Sequence, residues 1–331
     1  MALDPISGSL TESLAAYRVP RKIRKVLPPG LVRAMQQLRD RLVRTLVTRG
    51  LPEHATFELP HEEALASASV SIIVPIHDAP LVTKRCLASL QRWAQNSEII
   101  LVDDGSRIVE TTNVIREFSD RNGWKVTRND KAAGHSAACA AGARLASRPY
   151  LCLLNSDTVL TQRSWRAITE AFARNPSIGV AGPSTSSSGN RQTLDVAKRC
   201  RFSWNDNEIC AFAERLAGAR LQPLIVDLPW ISGFAFFIRS SLWGQLGGFD
   251  HNLGDYLNEV ELCKRAADSG YRTVWVRSSY VHHFGNQSYG EVMSAREIHS
   301  RTLAALQYVR NTHNWLPWSI HSDRDSTHPS N

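Results

Sequence analysis

An apolar segment that ends in an acid offers the clearest chemistry in this chain. Residues 151–158 read LCLLNSDT, so an apolar run stops abruptly at Asn155, Ser156 and Asp157. A short apolar run of this kind is typical of a buried strand. Carboxylate oxygens at its end are ligands that Mg²⁺ and Mn²⁺ prefer. The pattern therefore predicts a divalent metal site at Asp157.

Two earlier segments end in the same way. Val70–Ile76 (VSIIVPI) is followed by His77 and Asp78, and the apolar run at 99–102 is followed by DDGS, which begins at Asp103 and Asp104. Helical spacing of apolar residues at 81–95 and 111–118 alternates with these strands, which predicts an α/β fold with a doubly wound, mostly parallel sheet flanked by helices. Parallel strands gather ligands at their carboxyl ends, so we expect these polar residues to share one site.

The usual glycine-rich phosphate cradles are missing from the sequence. The first strand is followed by HDAPLVTK, without the Gly-x-Gly-x-x-Gly of a dinucleotide-binding sheet, and the chain has no Walker sequence. A nucleotide bound at this edge would therefore need a metal ion for its phosphates.

These segments belong to a longer ordered set of motifs. In chain order the strings are SIIVPIHDA, LVDDGS, GHSAACAAGARLA, LLNSDT, GVAGP, SGFAFFIRSSLWGQLGGFD, NEVELCKRAADSGYRTVWV and VHHFGNQS. The set resembles the inverting glycosyltransferases of family 2, which have the GT-A fold. The resemblance implies a GT-A domain at 70–290, with a basic, partly helical extension at 1–69 and a C-terminal helix and disordered tail at 291–331.

The resemblance also implies roles for the residues at the strand ends. His77 and Asp104 would line the base and ribose pocket of a nucleotide-sugar donor, with a UDP-sugar as the first expectation, and Asp103 would support that loop. Asn155 and Asp157 match the first and last positions of the DxD motif. Asp157 would bind a Mg²⁺ or Mn²⁺ ion that bridges the donor diphosphate.

A histidine often completes this metal site in the family, and the chain offers both His282 and His283. Neighbouring residues alternate across a strand, so at most one of them faces the site. The sequence leaves open which histidine that is, and whether either is a ligand rather than a structural residue.

Inversion at an anomeric carbon needs a carboxylate that removes the proton of the acceptor hydroxyl. The family uses the Asp of a Glu-Asp pair; here Asn258 and Glu259 occupy those positions. The resemblance thus makes Glu259 the first candidate for the base and Glu261 the second. It also places Gly233 and Trp230 of the WISGFAFF string near the acceptor.

Each of these motifs also has a structural interpretation. The DDGS string can cap the following helix, and Asn155 to Asp157 can cap a helix that starts after Thr161. Glu259 and Lys264 can be surface charges on a helix. WISGFAFF can be plain core. The order of the motifs favours the functional interpretation for Asp157 and Glu259.

Residues 184–228 depart most from the family pattern and are expected to form a variable insertion. It begins with STSSSGNRQT, expected to be a flexible polar loop, and continues with a helical pattern at 204–219, so that it could act as a lid or an acceptor-binding element. The six cysteines show no Cys-x-x-Cys spacing, which favours reduced thiols and a cytoplasmic protein over disulfides or a zinc site.

Positive charge is concentrated near the amino terminus. Residues 1–50 contain ten Lys or Arg and three Asp or Glu, a net of +7 (10 − 3), against +8 for all 331 residues. After a basic cluster at 21–25, a helical stripe is formed by Leu31, Met35, Leu38, Leu42 and Leu46. The stripe could lie on an anionic membrane surface at the inner face of the membrane. It could instead pack on the catalytic domain or on a second subunit of a homo-oligomer, which we favour.

The sequence therefore predicts a metal-dependent, hexosyl-transferring, inverting glycosyltransferase. It would move a sugar from a nucleotide-sugar donor to a hydroxyl of a glycan or lipid-linked acceptor in cell-surface polysaccharide synthesis. No membrane span or signal core is expected. One alternative, favoured by Asn155 and Asn258, is a catalytically impaired nucleotide-sugar-binding relative. Another is a nucleic-acid-associated protein acting through the basic arm, although that arm has no aromatic stacking platform, so no nucleic-acid partner is expected.

Overall fold

The computed structural model describes residues 57–253, 256–285, 295–313 and 315, together with positions 30, 31, 34, 35, 37, 38, 41, 42 and 45. The basic cluster at 21–25, Leu46 and the tail beyond Trp318 lie outside the described residues.

Strands and helices alternate through the first half of the chain, as the sequence predicts. The strands are β1 Val70–Ile76, β2 Glu98–Asp103, β3 Lys125–Arg128, β4 Tyr150–Leu154, β5 Thr158–Val159, β6 Ile178–Ser184, β7 Ile225–Asp227, β8 Ala235–Arg239, β9 Arg272–Tyr280 and β10 His282–His283. The helices are α1 His61–Ser67, α2 Pro80–Trp93, α3 Val109–Asn122, α4 His135–Ala143, α5 Arg166–Arg174, α6 Asp195–Cys200, α7 Asp206–Gly218, α8 Ser240–Leu246, α9 Asn258–Asp268 and α10 Ala295–His313, with a 3₁₀ turn at His251–Leu253.

Within the described residues, eight of these strands form one sheet in the order β3-β2-β1-β4-β8-β6-β9-β7. Strands β1, β2, β3 and β4 run parallel, so their carboxyl ends meet at one edge. Strand β8 is antiparallel to β4 and pairs Ala235 with Leu154. The residues that precede β8 therefore arrive at the edge where β4 ends.

Both faces of the sheet are covered by apolar side chains. Ile72 and Phe237 belong to the core cluster on one face, whereas Ile73 and Phe236 belong to the cluster on the other. Successive strand residues point to opposite faces, so neighbouring apolar residues supply both layers. This confirms the predicted doubly wound α/β architecture.

The packed unit begins before the first strand. The carboxylate of Glu63 in α1 accepts hydrogen bonds from the backbone N–H groups of Trp165 (3.0 Å) and Arg166 (2.8 Å), where α5 begins. Burial raises the pKa of Glu63, and the two hydrogen bonds, which lower it, only partly offset that effect. Phe57 and Leu59 pack against the same core. Residues 57–69 of the expected extension thus lie against the sheet domain.

The described positions between 30 and 45 are helical, as the leucine stripe predicts. Leu31, Leu38 and Leu42 are 47%, 61% and 43% exposed, so a large part of each side chain is left uncovered by the described residues. Among the described residues, no helix combines the length and the apolar character needed to cross a bilayer.

Candidate functional site

The acid that follows β4 faces a histidine of β10, the last strand among the described residues. Strand β5 pairs with β10, which sets His283 opposite Thr158. The pairing brings His283 Nε2 to 3.1 Å from Asp157 Oδ1. Asp157 is 1% exposed and His283 is 8% exposed.

The other ring nitrogen of His283 fixes how the ring meets Asp157. His283 Nδ1 lies 2.6 Å from the carbonyl oxygen of Ser187, which can only accept, so Nδ1 carries the proton. In the neutral ring, Nε2 then presents a lone pair to the Asp157 oxygen. The ring stacks on Phe234 with centroids 5.3 Å apart. Asp157 Oδ1 and this Nε2 are then two buried acceptors that face each other, an arrangement that fits a cation. The hydrogen bond from Nδ1 to Ser187 orients the ring as a ligand.

His282 has a different role. Its Nε2 donates to the carbonyl oxygen of Arg201 and its Nδ1 bonds the hydroxyl of Tyr280, both at 2.9 Å. Burial lowers the pKa of His282 to about 3. Because both ring nitrogens already have protein partners, the geometry favours His283 over His282 as the candidate metal ligand.

Asp157 and His283, together called the metal pair below, are few ligands for a metal site. Within the described ranges, no group of three or more His, Cys, Asp or Glu side chains is arranged to hold a metal ion. Asn155, at the first DxD position, is tied to the strand edge by its backbone N–H, which donates to the carbonyl oxygen of Phe234 at 3.0 Å. The chain would thus supply two ligands, Asp157 and His283, and leave the remaining positions to donor oxygens and water.

Asp103 and Asp104 organise the loops at the ends of β2 and β3. Asp103 accepts the backbone N–H of Ser106 at 2.9 Å and pairs with Arg128, and both contacts hold the DDGS loop. His77 Nδ1 donates to the carbonyl oxygen of Asp104 at 2.8 Å, so the two predicted donor residues are adjacent.

The carboxylate of Asp104 is largely engaged by the protein. It accepts from Asn129 Nδ2 (2.7 Å), the Ala133 N–H (2.8 Å) and the Gly134 N–H (2.9 Å). Asp104 therefore holds the loop that leads into α4. A carboxylate has about four lone-pair sites, so one remains for a nucleoside donor.

The predicted base lies on the other side of the segment that precedes β8. Glu259 is half-buried in the first turn of α9 and its Oε1 accepts the Gly233 N–H at 3.1 Å. A Cβ at position 233 would lie 2.7 Å from that oxygen. The next residue, Phe234, stacks on His283. One two-residue segment thus links Glu259 to the metal pair.

Comparison with known proteins identifies the domain. Residues 71–228 match the sequence model of glycosyl transferase family 2. They form a family 2 glycosyltransferase domain. A 105-residue segment is 37% identical to N-acetylglucosaminyl-diphospho-decaprenol L-rhamnosyltransferase of Mycobacterium tuberculosis, covering 30% of this chain and 34% of that protein.

Two wider matches extend the comparison. Uncharacterized protein y4gI of Sinorhizobium fredii is 22% identical over 268 residues, which cover 79% of this chain and 29% of that protein. The matched part thus spans about a third of the length of these curated relatives. The fold is similar to that of GalNAc-T7, solved with UDP, GalNAc and Mn²⁺, with a TM-score of 0.52 at 16% identity over 78% of this chain and 53% of that one. The predicted GT-A fold is confirmed.

Glu261, the second candidate for the base, is an ion-pair partner. Glu261 is 1% exposed, and its Oε2 accepts from Arg265 Nη2 at 2.6 Å. Arg265 also donates to the carbonyl oxygen of Gly248 at 2.8 Å, and His313 of α10 lies 3.3 Å from Glu261 Oε1. Residues two apart on a helix point to nearly opposite sides, so Glu259 and Glu261 serve different surroundings.

Trp230 borders the insertion of the glycosyltransferase domain. Its carbonyl oxygen accepts from Asn190 Nδ2 at 3.0 Å, and its ring lies 3.1 Å from where a Cβ of Gly189 would be. The ring also packs against the second core cluster while staying partly exposed. Trp230 is therefore positioned at a wall of the insertion, where stacking on a sugar stays a prediction.

The start of the insertion, which the sequence predicts to be a flexible polar loop, is polar but buried. Thr185, Ser186 and Gln192 are fully buried. Gln192 Nε2 donates to the carbonyl oxygen of Pro183 at 2.8 Å, and Ser186 Oγ donates to that of His283 at 2.8 Å. Side-chain hydroxyl and amide groups here supply the hydrogen bonds of buried backbone groups. A solvated loop has the same polar composition, so the sequence does not distinguish the two cases.

Helix α7 confirms the helix predicted in the insertion. It begins with a capping box in which Asn205 accepts the N–H of Glu208 and Glu208 accepts that of Asn205. All six cysteines are buried.

Sequence reasoning missed three residues that organise the site. Phe234 is a core residue, as the WISGFAFF string predicts, but its ring and carbonyl also contact His283 and Asn155. Ser187 and Arg201 lie in the insertion, where the family motifs give no guidance. The only sequence signal for them was that both fall between the DxD motif and the HHFG string.

Proposed function

We propose that this chain is a metal-dependent inverting glycosyltransferase that transfers a hexose from a nucleotide-sugar donor, first of all a UDP-sugar, to a hydroxyl group. The observation that carries the proposal is the pair Asp157 Oδ1 and His283 Nε2, 3.1 Å apart and buried, joined through the Gly233–Phe234 segment to Glu259. An in-line displacement requires a positive charge near the leaving group and a base near the attacking hydroxyl. The cation site and Glu259, on the two sides of the Gly233–Phe234 segment, could supply these two functions.

Asp157 and His283 would hold a Mg²⁺ or Mn²⁺ ion together with the donor diphosphate. When bound, that ion offsets the negative charge that develops on the departing diphosphate. Its fit rests on the facing acceptors and on the hydrogen bond from His283 Nδ1 to Ser187.

His77 and Asp104 would bind the nucleoside from the edge formed by β1 and β2. Their mutual hydrogen bond holds the imidazole against the end of β2, and the Asp104 carboxylate fixes the loop at 129–134. Asp103 would act only through the loop that it supports.

Glu259 would accept the proton of the acceptor hydroxyl. As that oxygen forms a bond to the anomeric carbon, the bond from the carbon to the diphosphate oxygen breaks and its electron pair leaves with the diphosphate. The proton remains on Glu259. Attack from the face opposite the leaving group inverts the centre, so an α-linked donor gives a β-linked product.

A lipid-linked glycan is the acceptor that one relative favours. The rhamnosyltransferase that shares 37% identity over 105 residues is named for a diphospho-decaprenol substrate. The exposed leucines at 31, 38 and 42, on a segment of net positive charge, favour contact with an anionic membrane surface over packing on the sheet domain. Cell-surface polysaccharide synthesis at the inner face of the membrane would suit both features.

The first test is a binding and hydrolysis screen of UDP-, dTDP- and GDP-sugars with Mn²⁺ or Mg²⁺. We expect metal-dependent binding by the wild type, loss of binding in Asp157→Ala, and loss of turnover with retained binding in Glu259→Gln. Binding without turnover in the wild type would favour a nucleotide-sugar-binding relative. No binding of any nucleotide sugar would overturn the proposal.

A further inference from the structure

Arg201 carries a guanidinium that the protein only partly satisfies. Its Nη1 donates to Ser187 Oγ at 2.7 Å, and its carbon lies 4.4 Å from the centroid of the Phe202 ring. Its Nε is buried and has no hydrogen-bond partner among the described residues. In that same part of the chain, no carboxylate oxygen lies within 4 Å of the guanidinium to form an ion pair. Leaving a buried charged donor without an acceptor is costly, so this edge of the side chain fits an anion.

Two hydrogen bonds place Arg201 beside β10, the strand that carries His283. Its own carbonyl oxygen accepts from His282, and its partner Ser187 accepts from His283. A Cβ at Gly285 would lie 2.7 Å from Ser187 Oγ and 3.0 Å from Arg201 Nη1. The guanidinium therefore lies directly against the turn that follows His283.

The electrostatic surroundings agree with this placement. Burial lowers the pKa of Arg201, and the negative charge of Asp157 opposes that shift. Asp157 is thus close enough to interact with the guanidinium but does not pair with it directly.

The chemistry of the donor set indicates which anion belongs there. Asn155 replaces a carboxylate at the DxD motif, so fewer negative charges surround the metal position and a diphosphate meets a more positive site. Since Nη1 is engaged by Ser187, the Nε and Nη2 donors form the edge that remains. Such an edge binds two phosphate oxygens in parallel.

We propose that Arg201 binds the diphosphate of the nucleotide-sugar donor and shares with the metal the charge that a second DxD acid would otherwise balance. This inference rests on the proposed function. It assigns to the insertion a direct contact with the leaving group, carried by a residue outside the motifs of the family.

The test compares nucleoside diphosphate and monophosphate binding with Mn²⁺ present, for UDP and UMP and for the dTDP and GDP pairs. Arg201→Gln should weaken diphosphate binding by about 10- to 100-fold and monophosphate binding by less than about threefold, because only the diphosphate reaches the lost donors. Arg201→Lys should lie between, since an ammonium keeps the charge but not the two-donor edge. Lys198→Gln is the matched control: it removes one exposed positive charge from α6, the helix that ends just before Arg201, and should leave both affinities unchanged.

Thermal unfolding of each variant shows whether a loss of binding results from a loss of folding. If Arg201→Gln does not fold, the comparison of diphosphate and monophosphate binding is made with Arg201→Lys. Equal losses for diphosphate and monophosphate, or unchanged diphosphate binding, would overturn the assignment of Arg201. A wild type that binds no nucleoside diphosphate would instead overturn the proposed function, so the two failures are distinct.

Discussion

Gly233 donates its backbone N–H to Glu259 Oε1 at 3.1 Å, and the volume of a side chain at position 233 is taken by that same carboxylate. The hydrogen bond orients the carboxylate at the start of α9, and the missing Cβ allows the close approach. Since the next residue, Phe234, stacks on His283, the glycine sets the position of Glu259 relative to the metal pair.

Gly233→Ala should therefore impair catalysis more than donor binding. The added Cβ would lie 2.7 Å from Glu259 Oε1, so the carboxylate must move, and a displacement of about 1 Å can cost on the order of 10²-fold in turnover. Turnover and donor affinity measured on the same preparations check this. The matched control is Gly244→Ala in α8, where a Cβ meets nothing within 4 Å. Full activity in Gly233→Ala would show that the contact with Glu259 does not set the reactive geometry.

Glu259→Gln and Glu261→Gln should separate catalysis from stability. Loss of a positioned base typically costs about 10²- to 10⁴-fold in rate, so Glu259→Gln should lose turnover while its melting temperature stays near that of the wild type. Glu261→Gln should instead lower the free energy of unfolding by about 2 kcal/mol, because Arg265 keeps a buried site without its charged partner. Turnover assays and denaturant titrations of both variants give the answer; the reverse pattern would make Glu261 the base.

The two histidines of β10 should respond differently to substitution. His283→Gln and Asp157→Asn should each lower Mn²⁺ affinity in the presence of UDP, by about 10- to 100-fold, because each removes a ligand from the pair. His282→Gln should leave Mn²⁺ affinity unchanged and lower the melting temperature, since it breaks the bonds to Arg201 and Tyr280. Calorimetric titration with Mn²⁺ measures the first effect. Loss of Mn²⁺ binding in His282→Gln alone would reverse the assignment.

Glu98 should make the stability of the domain sensitive to acid. Burial raises its pKa, but hydrogen bonds from Lys125, Ser71 and Ser147 outweigh burial and lower the pKa from its ordinary value of 4.5 to about 2. The folded pKa lies below the unfolded value, so the unfolded chain binds more protons between these two pH values. The stabilisation is present in full above about pH 4.5 and is lost as the pH falls toward about 2.

Glu98→Gln tests this contribution. Near neutral pH the wild type should exceed the variant in the free energy of unfolding by on the order of 2 kcal/mol, and the difference should shrink steadily through that acidic range. Urea denaturation at several pH values measures it. A difference that does not vary with pH would show that Glu98 acts through hydrogen-bond geometry alone.

Much of the sheet could be predicted because its signals are local. The apolar runs of β1, β2 and β4 are continuous since both of their faces are buried, and the apolar residues of α2 repeat with helical spacing. The polar residues that end these strands must then lie at one edge, which is why Asp157 could be placed before any contact was known. The buried loop that begins at Thr185 gave the opposite result, because polar composition indicates solvent unless a protein partner supplies the hydrogen bonds.

The sequence by itself thus determined the class of fold, the order of the motifs and the edge at which the chemistry gathers, since these depend on periodicity and on strand ends. Only the tertiary structure showed that the ring of His283, and not that of His282, faces Asp157, because this depends on the pairing of β10 with β5. It likewise joined Gly233 to Glu259 and brought Arg201 beside the metal pair. Such contacts link residues that are distant in the chain, and they are set by packing, which no local pattern records.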